Sequence, residues 1–256
     1  MAIKFGPAGL GGVKQAVSNL EMYHKLGLKA CEIAFTYKVY IKNKDDALKI
    51  GKAAEKLGIK LSVHAPYWIN LNSKDKDKIK ESKERILRCC EVGNYLGAYR
   101  VVFHPGYYVG MDKGKTYENI KTAILAIQNE IEKKRWKIKL APETTGKVNV
   151  FGSIDEISRL VEETGCGFCI DFAHIMARYK QVDYKFIKKK FKKHKDWHVH
   201  FSGIEYGEKG EKKHIKTNTI NWKKLLDNLP KDKNIIIINE SPFPVQDSVG
   251  GLGLIK

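Results

Sequence analysis

Short runs of β-branched and aliphatic residues alternate along the chain with longer segments in which apolar side chains recur every three or four positions. The first pattern predicts buried strands and the second amphipathic helices. Strands are read at Ile3–Phe5, Ala30–Phe35, Lys60–Val63, Arg100–Phe103, Ile138–Ala141, Gly167–Ile170, Trp197–Phe201 and Asn234–Asn239. Helices are read at Val13–Leu26, Lys44–Leu57, Lys83–Leu96, Tyr117–Ile131, Ile154–Glu163, Tyr184–Phe191 and Asn221–Leu229. Gly27, Gly58 and Gly97 each follow a helix-ending Leu, where a left-handed cap suits glycine. Eight strand–helix units predict parallel pairing with right-handed crossovers. That count fits an α/β chain folded as a (β/α)8 TIM barrel, which typically takes about 250 residues. No low-complexity linker divides residues 1–256, so one domain is expected. The tail after Glu240 is Gly-rich, and the final helix is expected to be short or missing. The alternative, an open doubly wound sheet, would want a phosphate turn after its first strand. Gly6-Pro-Ala-Gly9-Leu-Gly11-Gly12 has neither the dinucleotide nor the P-loop spacing.

Composition adds a partner class. Lys plus Arg total 47 against 29 Asp plus Glu, a net charge of +18, and only six of the basic residues are Arg. Such an excess draws a chain to polyanions by counterion release, with nucleic acid the first candidate. A lysine-solvated surface on a heat-adapted protein explains the same number. The longest aliphatic run is Ile235–Ile238, far short of a membrane span. The N-terminal Met-Ala-Ile-Lys-Phe-Gly-Pro has no signal-type apolar stretch, so a cytoplasmic protein, expected to be a monomer, is read here. Five cysteines speak against a disulfide framework. Cys166-Gly-Phe-Cys169 has C-x-x-C spacing, but no second pair completes a zinc site, so both are read as core residues.

The chemistry gathers where a barrel keeps its active site, at the carboxyl ends of the strands. The third strand runs out into His64, the fourth into His104, the fifth into Glu143, the sixth into Asp171 and His174, and the eighth into Glu240. The seventh carries His198 and His200, and His214 follows in the next loop. His24 and His194 lie in Lys-flanked helical contexts and are read as surface residues. Any one of these has an ordinary explanation; Asp171, for instance, is placed to cap a helix that begins after it. As a set, imidazoles and carboxylates at six successive strand ends are the donors that zinc-like divalent cations take. There are too many for one ion, and clustered ions suit in-line displacement at phosphorus.

These residues and their neighbours resemble endonuclease IV, within the xylose-isomerase-like TIM-barrel superfamily. The resemblance runs over nearly the whole chain. Its strongest blocks are His64-Ala-Pro-Tyr67-Trp-Ile-Asn70-Leu71, Phe103-His104-Pro-Gly106, Glu143-Thr-Thr-Gly146, Cys169-Ile-Asp171-Phe-Ala-His174, His200 and Asn239-Glu240-Ser-Pro242. It implies a zinc-dependent endonuclease that hydrolyses the phosphodiester 5′ to abasic sites in duplex DNA. Attack by a metal-held hydroxide would leave a 3′-hydroxyl and a 5′-deoxyribose phosphate. By the same resemblance His64, His104 and Glu143 would hold one zinc. Glu143, the catalytic carboxylate, would bridge to a second ion completed by Asp171, His200 and Glu240. His174 and His214 would hold a third. The family pattern at that third site is Asp-x-His, and here the expected carboxylate is Lys212. Two or three ions are therefore expected, with Glu211 or Glu208 as substitutes, or with Lys212 turned to phosphate. Tyr67 matches an aromatic that enters the DNA stack, and Asn70, Tyr107 and Tyr108 are expected beside it. Rim lysines 38, 42, 113, 115, 209 and 212 would meet phosphates. Two other readings stand beside this one. A single-metal sugar isomerase or epimerase would use Glu143, Asp171, His200 and Glu240, and a non-catalytic nucleic-acid binder would use the basic surface alone.

Overall fold

In the computed structural model, residues 2–255 are described. The barrel strands are β1 (Ala2–Pro7), β2 (Ala30–Ala34), β3 (Lys60–His64), β4 (Arg100–Phe103), β5 (Lys139–Pro142), β6 (Ile170–Asp171), β7 (Asp196–Phe201) and β10 (Asn234–Asn239). They pair in parallel as two four-stranded arcs, β1-β10-β7-β6 and β2-β3-β4-β5. Single parallel bridges join the arcs, Ala8 to Glu32 on one side and Glu143 to Cys169 on the other. The sheet is thereby closed, as the eightfold alternation predicted. Both seams carry a fully buried carboxylate, Glu32 and Glu143.

Around the sheet lie α1 (Ala16–Lys25), α2 (Lys44–Lys56), α3 (Lys76–Tyr95), α4 (Lys113–Lys133), α5 (Ile154–Thr164), α6 (Phe172–Tyr179), α7 (Tyr184–Lys190), α8 (Thr219–Asn228) and α9 (Pro244–Gly253). Their apolar stripes pack on the outer face of the strands, so that Leu20, Ile50, Ile86, Ile120, Ile157 and Leu225 are buried. All the helices but α1 and α9 start on side-chain caps. Asn43, Asp75, Asp112 and Asp183 each accept from a backbone N–H in the first turn, and Ser153 and Glu156 form a reciprocal capping box. Gly27, Gly58 and Gly97 take left-handed conformations, with φ of 83°, 66° and 64°, as the sequence predicted.

Three elements go beyond the hydrophobic pattern. The Gly-rich tail forms the ten-residue helix α9, so the final helix is short and present. Its glycines serve packing: a Cβ on Gly251 would lie 2.9 Å from the Trp222 ring and 3.0 Å from Phe5. Helix α6 follows its N-cap Asp171 with no linker after β6, so its apolar residues run on from the strand and the pattern does not separate it. After β7 an antiparallel hairpin, β8 (Gly203–Gly207) and β9 (Gly210–Ile215), rises from the rim. Its alternation is weak because much of it faces solvent. His214, read as a loop residue, lies on β9. His194 is half-buried against Phe168, whereas His24 is on the surface. All five cysteines are buried and unpaired. Among the described residues no helix is long and apolar enough to cross a membrane.

Candidate metal centre

Glu143 follows β5 at the seam with β6 and is fully buried. Its Oε2 lies 3.1 Å from His64 Nε2 and 3.0 Å from His104 Nε2. Its Oε1 lies 3.0 Å from His200 Nδ1 and 3.5 Å from His174 Nδ1. One carboxylate thus faces two pairs of imidazoles through different oxygens. Glu240 Oε1 adds a third acceptor 3.3 Å from His200 Nδ1. Glu143, Asp171, His200 and Glu240 form one ligand-competent group, and Asp171, His174 and His214 another.

Local structure sets which atoms face inward. Asp171 ends β6 and is the N-cap of α6; its Oδ1 accepts from the His174 N–H at 2.7 Å. That accounts for one oxygen only. Its Oδ2 is buried and has no hydrogen-bond partner. Capping therefore uses one oxygen of this side chain and leaves the other available to a ligand. The Nδ1 atoms of His64 and His174 lie 2.8 and 3.0 Å from the carbonyls of Ala65 and Thr144. With the ring proton placed on each Nδ1, both Nε2 lone pairs point into the site. His64 Nε2 then meets a carboxylate oxygen, lone pair against lone pair, and His174 Nε2 is buried with no hydrogen-bond partner. Acceptors turned on one another in a buried space are costly without a cation between them. The donor set fits divalent ions that accept nitrogen and oxygen together.

Electrostatics describe the same conflict. Burial alone would raise the Glu143 carboxyl, but the charges of His200 and His104 hold it well below the usual range. Burial opposes a proton on His64, yet its hydrogen bond to Glu143 and that residue's charge push it up to about 9. Burial also works against the Glu240 carboxylate, and the neighbouring His200 brings it down to about 2. For Asp171 burial wins, and its carboxyl is raised. In such a site protons stand in for cations, and metal binding would release them.

Hairpin geometry selects the carboxylate of the third group. The register shifts between Glu205 and Tyr206, leaving Lys212 as the extra residue on β9. A bulge of this kind brings neighbouring side chains onto one face. Glu211 lies 3.4 Å from His174 Nε2 and 3.8 Å from His214 Nε2, while Lys212 and Lys213 turn outward to Glu205. Of the two glutamates weighed in the sequence, Glu211 is the one brought to His174 and His214.

The proposed DNA-facing residues divide. Tyr67 is 55% exposed and its ring lies about 6 Å from both His64 and His104. Exposed Tyr107 joins it in lining a pocket of about 230 Å³ with His104, Gly146, Lys147 and Glu211. Asn70 instead ties loops together, its Oδ1 accepting from the backbone of Asn72 and Tyr107. Tyr108 donates to Glu156 at 2.8 Å and packs against Phe151. Sequence reasoning missed Glu32 and Arg178. Arg178 on α6 donates to the carbonyls of Lys147 and Val150, pinning the loop that carries the pocket wall. Glu32 gave a signal, a charged residue inside the apolar run Ala30–Phe35.

The profile of the family described as a xylose isomerase-like TIM barrel matches residues 20–253. An uncharacterized protein of Methanocaldococcus jannaschii is 38% identical over 260 residues, covering 96% of this chain and 94% of that protein. A probable endonuclease 4 of Mycobacterium marinum is 28% identical over 148 residues, 55% of this chain and 54% of that protein. Solved structures share the fold across the chain. A protein named SacUVDE is 16% identical, with 100% and 98% of the two chains covered and a TM-score of 0.78. Endonuclease IV from Thermus thermophilus is 20% identical, with 99% and 97% covered and a TM-score of 0.70. D-psicose 3-epimerase from Clostridium cellulolyticum is 14% identical, with 100% and 97% covered and a TM-score of 0.69.

Proposed function

We propose that this chain, which belongs to the xylose isomerase-like TIM-barrel family, is a metal-dependent endonuclease acting at abasic sites in duplex DNA. The observation that carries this reading is the bridging posture of Glu143, with His64 and His104 on one oxygen and His200 on the other. A carboxylate between imidazoles on its two oxygens suits more than one ion. The resemblance to endonuclease IV, whose probable members align with about half of this chain, names the substrate. When bound, the ions supply an activated water and neutralise charge on the phosphate and the leaving oxygen.

The chain's own residues do the rest. Glu143, Asp171, Glu211 and Glu240 hold negative charge against the imidazoles and fix where cations sit. Tyr67 and Tyr107 offer exposed rings beside the centre, placed to fill the gap left in the base stack. Lys147 lines the adjoining pocket and meets a phosphate. That pocket, at about 230 Å³, is below the range of about 300–1,000 Å³ usual for small-molecule sites. It suits a flipped sugar without a base better than an intact nucleoside, and such a nucleotide is also the easiest to flip.

The test is a duplex carrying one abasic site, incubated with the zinc-loaded protein. A nick 5′ to the lesion is expected, abolished by chelation and absent from an intact duplex. No nicking by the zinc-loaded protein would sink the reading. A sugar epimerase is the second reading, favoured by one observation: Glu143, Asp171, His200 and Glu240 by themselves could hold a single ion. Metal stoichiometry separates the two, with one ion per chain supporting the epimerase and two or three the nuclease.

A further inference from the structure

Beneath the rim, inside the barrel, lies a second layer of polar side chains that ligation of ions does not use. Glu32 on β2 is fully buried at the seam with β1. Its Oε2 accepts from Ser62 Oγ at 2.8 Å and lies 3.0 Å from His198 Nε2. Its Oε1 lies 2.9 Å from His200 Nε2 in a charge contact rather than an in-line hydrogen bond, and His200 Nε2 also lies 3.3 Å from His198 Nε2. His198 in turn bonds through Nδ1 to the Tyr99 hydroxyl. The other ring nitrogen of His200, Nδ1, is the one that faces Glu143 and Glu240.

We propose that Glu32 is the positioning residue of the metal centre: it holds His200 from below by Nε2 and keeps the Nδ1 lone pair aimed at the ions, with Ser62, His198 and Tyr99 clamping Glu32 in place. This rests on the metal-centre reading and adds to it a residue that touches neither ion nor substrate. Proton accounting supports the assignment. Glu32 Oε1 is an acceptor in a fully buried position, and the nitrogen of His200 is the donor at its side. The charge on that oxygen, 2.9 Å away, favours a proton on Nε2 and leaves Nδ1 without its own, the tautomer a ligand needs. Ser62 and His198 already supply Oε2, so the carboxylate cannot rotate away without abandoning both.

The experiment measures zinc affinity by chelator competition for the wild-type chain, Glu32→Gln and Tyr99→Phe, together with the thermal unfolding of each metal-free protein. Glu32→Gln is expected to weaken zinc binding about 10–100-fold, the usual range for an outer-shell partner. Tyr99→Phe should weaken it less and in the same direction, and it keeps the proposal testable if Glu32→Gln fails to fold. Long-range 15N–1H spectra of the histidine rings should show His200 protonated at Nε2 in the metal-free wild type and mixed in Glu32→Gln. That signature would not move if Glu32 only filled space. Unchanged zinc affinity in the folded variants, or a wild-type His200 protonated at Nδ1, would overturn the positioning role alone. A wild-type chain that binds no divalent metal would overturn the metal-centre reading, and the positioning role with it.

Discussion

The two ends of this barrel treat charge in opposite ways. At the amino-terminal end of the strands, Lys4, Lys60, Lys137 and Lys139 border a cavity of about 840 Å³, and Arg100 spends its guanidinium on the carbonyls of Phe168 and Asp196. Each charge there is wet or satisfied. At the carboxyl-terminal end, carboxylates and imidazoles are buried together in direct contact, and Asp171 Oδ2 and His174 Nε2 have no hydrogen-bond partner. This cavity and the chemistry are at different ends. Size and positive charge alone would have pointed to the base; unsatisfied buried atoms point to the rim. An unpaired polar atom in a core costs about 1–3 kcal/mol, so several converging on one place mark where something is to be held.

The strongest way to break this contrast is at Glu143. Glu143→Gln removes the charge that both imidazole pairs share, and nicking of abasic DNA is expected to fall by at least about 100-fold, since outer-shell losses alone reach that range. Metal content should fall with it, while DNA binding through lysines persists. A variant that cleaves at the wild-type rate would remove Glu143 from the centre. Chelation comes next. If zinc is held at about 1,000 times its dissociation constant, it stabilises the fold by about 4 kcal/mol. A chain of this size then loses about 8–16 °C of melting temperature on metal removal. Equal melting curves with and without chelator would contradict a centre coupled to the fold.

Glu211 and Lys212 sharpen the comparison within the rim itself. Glu211→Ala should remove one equivalent of bound metal, because Glu211 is the carboxylate facing His174 and His214. Lys212→Ala should leave the stoichiometry unchanged, because Lys212 faces Glu205. The opposite pattern, read by metal analysis of the two purified variants, would contradict the hairpin register as the selector.

The barrel was legible because its strands and helices have clean periods, and even the boundary glycines read correctly. The rim was legible because six strand ends each carry a ligand-type residue, a coincidence visible in the sequence alone. What escaped notice has physical reasons. Helix α6 follows its strand without a linker, and its N-cap Asp171 doubles as a site residue. The β8–β9 hairpin is solvated, so alternation is too weak to reveal it, and the bulge that turns Glu211 inward leaves no trace in composition. Glu32 lies in an apolar run and only becomes meaningful beside His198 and His200, residues far along the chain that the closed sheet brings back to it.

Acidity tests the rim more gently. In the metal-free protein His64 is pushed up to about 9 by Glu143, so its contribution to stability is complete below the unfolded value of about 6.5 and is lost as pH rises through about 9. Glu240 and Glu211 are each brought down to about 2 by neighbouring imidazoles. Their contributions are complete above about 4.5 and are lost as pH falls through about 2. Metal-free protein is therefore expected to melt highest between about pH 4.5 and 6.5 and to weaken towards pH 9. Zinc affinity should climb over the same alkaline range, because the imidazoles must shed their protons to bind. A metal-free melting temperature that stays flat from about pH 6 to 9.5 would contradict the buried ion pairs.

The smallest effect belongs to the base. Lys60→Glu combined with Lys139→Glu shifts the net charge by four units at exposed positions that open strands β3 and β5. These lie about 13 Å from the rim residues His64 and Glu143, four residues on along each strand. That is beyond the screening length of about 8 Å at physiological salt, so their field at the rim is weak there. Cleavage of abasic DNA should stay within about twofold of wild type at physiological ionic strength, and should fall visibly only at low salt, where the screening length reaches about 30 Å. Lys147→Glu, beside the rim pocket, makes half the charge change and should weaken binding at both salt concentrations, because it places a negative charge where the proposed substrate's phosphate would lie. If the base pair of substitutions proved the more damaging at physiological salt, the DNA would have to lie across the wet end of the barrel, and the excess of lysine would need a different explanation.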